Sequence, residues 1–102
     1  MEKRKPHYPL SFIQQEARRR GAAAFTRTAL VNGREMGLTV GEMVEIIAGL
    51  KMANFYKSMT THADHARWQD VYHAPTLLGK IAYIKVCGSE DGAPPVIQFK
   101  EK

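Results

Sequence analysis

The chain has a single cysteine, Cys87, so no internal disulfide can brace it and packing must supply its stability. A lone thiol suits a reducing compartment, and its plain reading is a small buried hydrophobe. No apolar run approaches the ~20 residues that span a bilayer, and the Met-Glu-Lys-Arg-Lys start is not followed by the apolar segment of a secretion signal. A cytoplasmic protein without membrane contact is expected. The glycines match neither the Walker nor the dinucleotide spacing, which excludes the common phosphate-cradling loops. Internal repeats, a carboxylate cluster and a cysteine pair are missing as well.

What is present is a small cationic chain. Its 102 residues, 44% of them hydrophobic, suffice for one compact domain over residues 1–102 and leave no room for a second core. The net charge of +5 favours polyanionic partners, nucleic acid first among them. Two stretches read as irregular: a basic arm over residues 1–9 and a Gly- and Pro-containing connection over residues 88–95.

Helices come first. Ser11-Phe12-Ile13-Gln14 has the form of a capping box, and the helix it opens should stop at Gly21. Arg18, Arg19 and Arg20 then sit at the negative end of the helix dipole, which explains them as well as RNA binding would. Thr26 or Thr28 is placed to cap a second helix carrying Ala29, Leu30 and Met36 and ending near Gly37, although Gly33 weakens it. Thr39-Val40-Gly41-Glu42 is a second capping box, followed by Met43, Ile46, Ile47 and Leu50 at the spacing of one apolar helical stripe.

Beyond Asn54 the period becomes alternating, with strands predicted over 55–61, 68–73, 81–87 and 96–100. Helices followed by strands predict an α+β domain in which the N-terminal helices pack on one side of a C-terminal antiparallel sheet. Alternation puts Phe55, Lys57, Met59 and Thr61 on one face of the first strand and Tyr56, Ser58 and Thr60 on the other. In the later strands Ala82, Ile84, Val86, Ile97 and Phe99 point at the helices. The open face would then gather Lys57, Gln69, Tyr83, Lys85, Gln98 and Lys100. Cations for phosphates, an aromatic ring and amides for base edges make a surface suited to RNA, although lysines on an exposed sheet also serve to discourage edge pairing.

RNA carries its own nucleophile in the 2′-hydroxyl, so cleavage needs only proton transfer, charge stabilisation and alignment from the protein. Crowded lysines can supply the first by a lowered pKa, or the second if all remain charged; the sequence does not separate the two. A competing constellation is His62-Ala63-Asp64-His65, with His73 or His7 as a further ligand for a metal, but such residues between strands are more often turn and capping groups. His65 is also a candidate for substrate positioning or acid-base work.

Several of these segments carry a resemblance: Met-Glu-Lys-Arg-Lys-Pro-His at the start, Phe-Tyr-Lys-Ser-Met-Thr-Thr at 55–61, Asp64-His65, Trp-Gln-Asp-Val-Tyr at 68–72, and the closing Phe-Lys-Glu-Lys. The chain resembles the MqsR toxins of bacterial type II toxin-antitoxin systems from end to end, most strongly over 55–72. The resemblance implies a RelE-like fold and an endoribonuclease, or mRNA interferase, that cuts mRNA at short GC-containing sites such as GCU without metal or cofactor, arresting translation and growth. The family's functional lysine, glutamine, tyrosine and C-terminal lysine fall on Lys57, Gln69, Tyr83 and Lys100, with Met59 beside the first. Tyr83 is matched by aligning Tyr83-Ile84-Lys85 as a unit, because the segment before it is one residue longer than usual. An antitoxin of the MqsA type is implied as partner, with a zinc-binding part that meets the toxin and a helix-turn-helix part that alone reaches operator DNA. The alternative in another class is a non-catalytic RNA-binding or regulatory module using the same basic face; a hydrolase holding metal at His62, Asp64 and His65 stands behind both.

Overall fold

The structure, a computed structural model, describes residues 1–61, 67–88 and 93–102. A two-residue strand β1 (Glu2–Lys3) is followed by helices α1 (Leu10–Arg20), α2 (Arg27–Glu35) and α3 (Val40–Ala48). Strands β2 (Phe55–Thr60), β3 (Trp68–Pro75), β4 (Ile81–Cys87) and β5 (Val96–Glu101) complete the chain. The five strands form one antiparallel sheet in the order β1-β2-β3-β4-β5. The predicted α+β arrangement is what the chain adopts.

The core lies between the helices and one face of the sheet. Ile13 and Ala17 of α1, Ala29 of α2, and Met43 and Ile47 of α3 are buried against Tyr72, Ala74, Ala82, Ile84, Val86, Ile97 and Phe99. These strand positions are the alternate ones, as a sheet buried on one side requires.

Local signals were kept where a cap had no competitor. Thr39 accepts from the Glu42 amide while the Glu42 carboxylate accepts from the Thr39 amide, closing the expected box at α3. Thr26, not Thr28, caps α2 by accepting from Ala29. Gly21 ends α1 at φ +57°, a conformation that glycine adopts without the Cβ clash. The box expected at Ser11 does not form. The helix starts a residue earlier, with Pro9 as its cap and the Pro9 carbonyl accepting from Phe12 and Ile13, so Ser11 is already helical and exposed. Gln14 serves another helix instead. Its Nε2 donates to the carbonyls of Ile47, Ala48 and Leu50, at and just beyond the end of α3, where the helix no longer supplies amides to satisfy them all.

The arginine cluster is largely structural. Glu16 is buried, and Arg19 and Arg20 both pair with it at 2.8 and 3.1 Å. Arg19 above all holds the Glu16 carboxyl below its usual range. Arg20 also donates to the Pro95 carbonyl, which ties α1 to the start of β5.

The arm over residues 1–9 is irregular apart from Glu2–Lys3, yet it is held against the sheet along its length. Glu2 and Lys3 pair with Met59 and Ser58, and the Met1 carbonyl accepts from the Thr60 amide. The fully buried Asp70 then accepts from the amides of His7 and Tyr8 and from the Ser58 hydroxyl, at 2.7 to 2.9 Å. His7 stacks on Trp68, and the Lys3 ammonium lies 4.1 Å from the centre of the same indole. At the opposite edge, Thr26 donates its amide to Ile97 and Asn32 its side chain to Phe99, so α2 covers β5.

Candidate active site

The open face is set by strand register, since residues directly opposite one another point the same way. Three rows cross it. One runs through Glu2, Met59, Gln69, Cys87 and Val96; the next through Lys57, Val71, Lys85 and Gln98; the third through His73, Tyr83 and Lys100. The structure thus brings Lys57, Met59, Gln69, Tyr83, Lys85, Gln98 and Lys100 onto one face. Four strands contribute one each of Lys57, Gln69, Tyr83 and Lys100. His65, and the His62-Asp64-His65 metal constellation with it, lies outside the described residues.

One detail of the first strand departs from strict alternation. A bulge between Phe55 and Lys57 sets two residues of β2 against one of β3, with Phe55 opposite Tyr72 and Lys57 opposite Val71. Phe55 therefore packs on the helix side, edge-on to Tyr72, and does not share the face of Lys57. Tyr56, expected on the far side, joins the open face and stacks on His73 at 4.7 Å. His73 in turn lies 5.3 Å from Tyr83. Lys57 sits 5.4 Å from the Tyr56 ring centre and Lys100 5.2 Å from that of Tyr83, so a row of three rings has a cation at each end. Tyr56 could not be placed on this face from the sequence because a bulge leaves no mark on a hydrophobic pattern, whereas His73 follows Gln69 and Val71 in strict alternation along β3 and was legible there.

The polar groups are arranged rather than merely exposed. Gln69 and Gln98 both point their Nε2 at the Cys87 sulfur, at 3.1 and 3.5 Å, which orients the two carboxamides toward one spot. Burial pushes the Cys87 thiol above its usual range against the pull of the Gln69 bond, so it serves as a neutral acceptor. Burial also lowers His73, with the nearby Lys102 charge acting in the same sense. Its Nε2 is buried without a hydrogen-bond partner, which a neutral ring tolerates better than a charged one.

Lys57 departs from the lysine that crowding would neutralise. Its ammonium is 2.6 Å from the Glu2 carboxylate, and that bond raises the Lys57 pKa above the ordinary value despite desolvation. Of the two roles open to it from sequence, the charged one is favoured.

Beside the rows, α2 forms a wall. Thr26, Thr28 and Asn32 face Tyr83, Lys85, Gln98 and Lys100 across a cleft of about 360 Å³, within the range of small-ligand sites. No sequence pattern tied these α2 residues to the face, because only tertiary packing brings the helix there. Among the described residues no three His, Cys, Asp or Glu side chains converge as a metal site, and no helix is long and apolar enough to cross a membrane.

A family model described as motility quorum-sensing regulator, toxin of MqsA, matches residues 5–101. Over 102 residues, the whole of both chains, the sequence is 42% identical to the mRNA interferase toxin MqsR of Escherichia coli (strain K12). The chain belongs to the MqsR family of toxins.

Proposed function

We propose that this protein is the toxin of a type II toxin-antitoxin system, a metal-independent endoribonuclease that cuts mRNA at short GC-containing sites such as GCU and so halts translation and growth. The observation that carries the reading is the convergence of Lys57, Gln69, Tyr83, Lys85, Gln98 and Lys100 on one open face, in a chain whose relative is an mRNA interferase. The substrate's 2′-hydroxyl gives its proton to water and attacks the phosphorus, and the 5′-oxygen leaves and takes up a proton, giving a 2′,3′-cyclic phosphate and a 5′-hydroxyl. No protein nucleophile is needed.

Lys57, kept protonated by Glu2, neutralises the phosphate as charge builds in the transition state. Lys100 does the same from the far side. Gln69, its amide nitrogen tied to Cys87, offers its carbonyl oxygen to the substrate. Tyr83, between His73 and Lys100, stacks on a base or protonates the leaving oxygen. Met59, Lys85 and Gln98 line the path of the strand, with one nucleotide entering the cleft beside α2. The partner is an antitoxin of the MqsA type, which meets the toxin through a zinc-binding part and reaches operator DNA through its own helix-turn-helix part. The setting is the cytoplasm, where mRNA and antitoxin are made.

The test incubates purified protein with an RNA containing GCU, in chelator, beside a copy with a deoxy sugar at the cut position. Cleavage of the first alone is expected. Cutting of the deoxy copy contradicts attack by the 2′-hydroxyl, activity lost in chelator contradicts metal independence, and binding without cutting favours the non-catalytic module.

A further inference from the structure

Among the described residues, the open face carries one carboxylate by register, that of Glu2. On a surface built for a polyanion a negative charge is out of place. Electrostatics alone would remove it, since it repels the substrate that the surrounding lysines attract.

Its placement is nonetheless tightly specified. Glu2 belongs to a strand of two residues, too short to hold itself, and the chain on either side is fixed. Before it, the Met1 carbonyl accepts from Thr60; after it, Lys3 lies over Trp68 and its Nζ is 3.1 Å from His7 Nδ1. The amides of His7 and Tyr8 then end on buried Asp70. These anchors deliver the Glu2 carboxylate to within 2.6 Å of Lys57 Nζ.

Stability does not account for the pair. Glu2 is well exposed, and ion pairs at such positions add little to folding. Geometry does account for it. A lysine ammonium on four rotatable bonds wanders unless something holds it, and it has three N–H groups to offer. Glu2 engages one and leaves two for a phosphate. We infer that Glu2 is a positioning residue of this site, acting through Lys57 by fixing that ammonium over the face at the point where the scissile phosphate binds. The opposed pKa directions, Lys57 raised and Glu2 lowered, each mainly through their mutual hydrogen bond, agree with a pair that stays charged. The inference rests on the ribonuclease reading above.

The experiment compares wild type, Glu2→Gln, Glu2→Asp, Lys57→Met and Glu2→Gln with Lys57→Met, all as full chains, on the GCU RNA under single-turnover conditions with enzyme in excess. A misplaced catalytic group costs on the order of 10²-fold, so Glu2→Gln is expected to lower the single-turnover cleavage rate constant by about 10- to 100-fold, with the half-saturating enzyme concentration little changed and the melting temperature unmoved. Glu2→Asp, which keeps the charge, should recover part of the loss. In the Lys57→Met background Glu2→Gln should add nothing, because its effect passes through Lys57. Cutting by Glu2→Gln as fast as wild type or faster, as simple charge repulsion predicts, overturns the inference. So does an equal fractional loss in both Lys57 backgrounds. A wild type that binds RNA and never cuts it defeats the ribonuclease reading instead, which keeps the two failures apart.

Discussion

Gly33 of α2 lies directly against Met43 of α3: a Cβ built on Gly33 would overlap the Sδ and Cε atoms of Met43, whose side chain is 1% exposed. The residue that weakens α2 as an isolated helix is the one that lets α3 approach it. Alanine is the better helix former by about 1 kcal/mol. Overpacking a buried contact costs about 1–3 kcal/mol and should dominate here. Gly33→Ala is therefore expected to destabilise wild type in a urea melt yet become neutral or stabilising beside Met43→Ala, which alone should cost about 2–5 kcal/mol. Stabilisation in both backgrounds would show that the helices do not meet at this point.

Asp70 joins the core to the functional arm. Asp70→Ala strands the buried Ser58 hydroxyl and two backbone amides, and should cost at least about 3 kcal/mol. Amide hydrogen exchange should speed most at His7, Tyr8 and β1, while β4 remains protected. Uniform loss of protection across the sheet would mean that the carboxylate supports the whole fold and not the arm.

His73 sets a pH dependence. Its folded-state pKa lies below the ordinary 6.5, so as pH falls through 6.5 the unfolded chain takes up a proton that the folded chain resists. The stability it contributes is full above that value and is lost as pH falls toward the folded pKa. His73→Phe keeps a ring between Tyr56 and Tyr83 and removes the titration. Between pH 7 and 5 its unfolding free energy should fall less steeply than that of wild type; parallel slopes would contradict the assignment.

Lys57→Ala and Tyr83→Ala should each change stability by less than about 1.5 kcal/mol, because both side chains lie on the open face and outside the buried cluster. Both should allow growth on expression where wild type arrests it. Unfolding or aggregation of these variants would place the side chains in packing, and undiminished toxicity would remove them from the site.

Much of this could be read from the sequence because several segments obey one local rule at a time. Thr39 and Glu42 cap α3 with nothing competing, and the alternation of Ala82, Ile84 and Val86 faces the helices as written. Reading failed where a residue answers to a distant partner. Gln14 looked like half of a local box and instead closes the end of α3. Tyr56 and Phe55 exchanged faces because a bulge moves one residue without altering composition. Glu2 gave no signal at all: a two-residue strand has no period, and its place depends on Asp70, some seventy residues on. The cluster on the open face was legible from alternation, whereas the α2 wall of the cleft was not, since helix position is a product of packing.

The most direct test of the central claim is the chemistry of the cut ends. Mass spectrometry of the fragments released from a GCU-containing RNA should find a 2′,3′-cyclic phosphate, or the monophosphate that follows its hydrolysis, on the upstream piece and a 5′-hydroxyl on the downstream one, with both formed far more slowly by Lys57→Met. Fragments ending in a 3′-hydroxyl and a 5′-phosphate would mean that water attacks the phosphorus, and that the basic face of this sheet does not work in the way described.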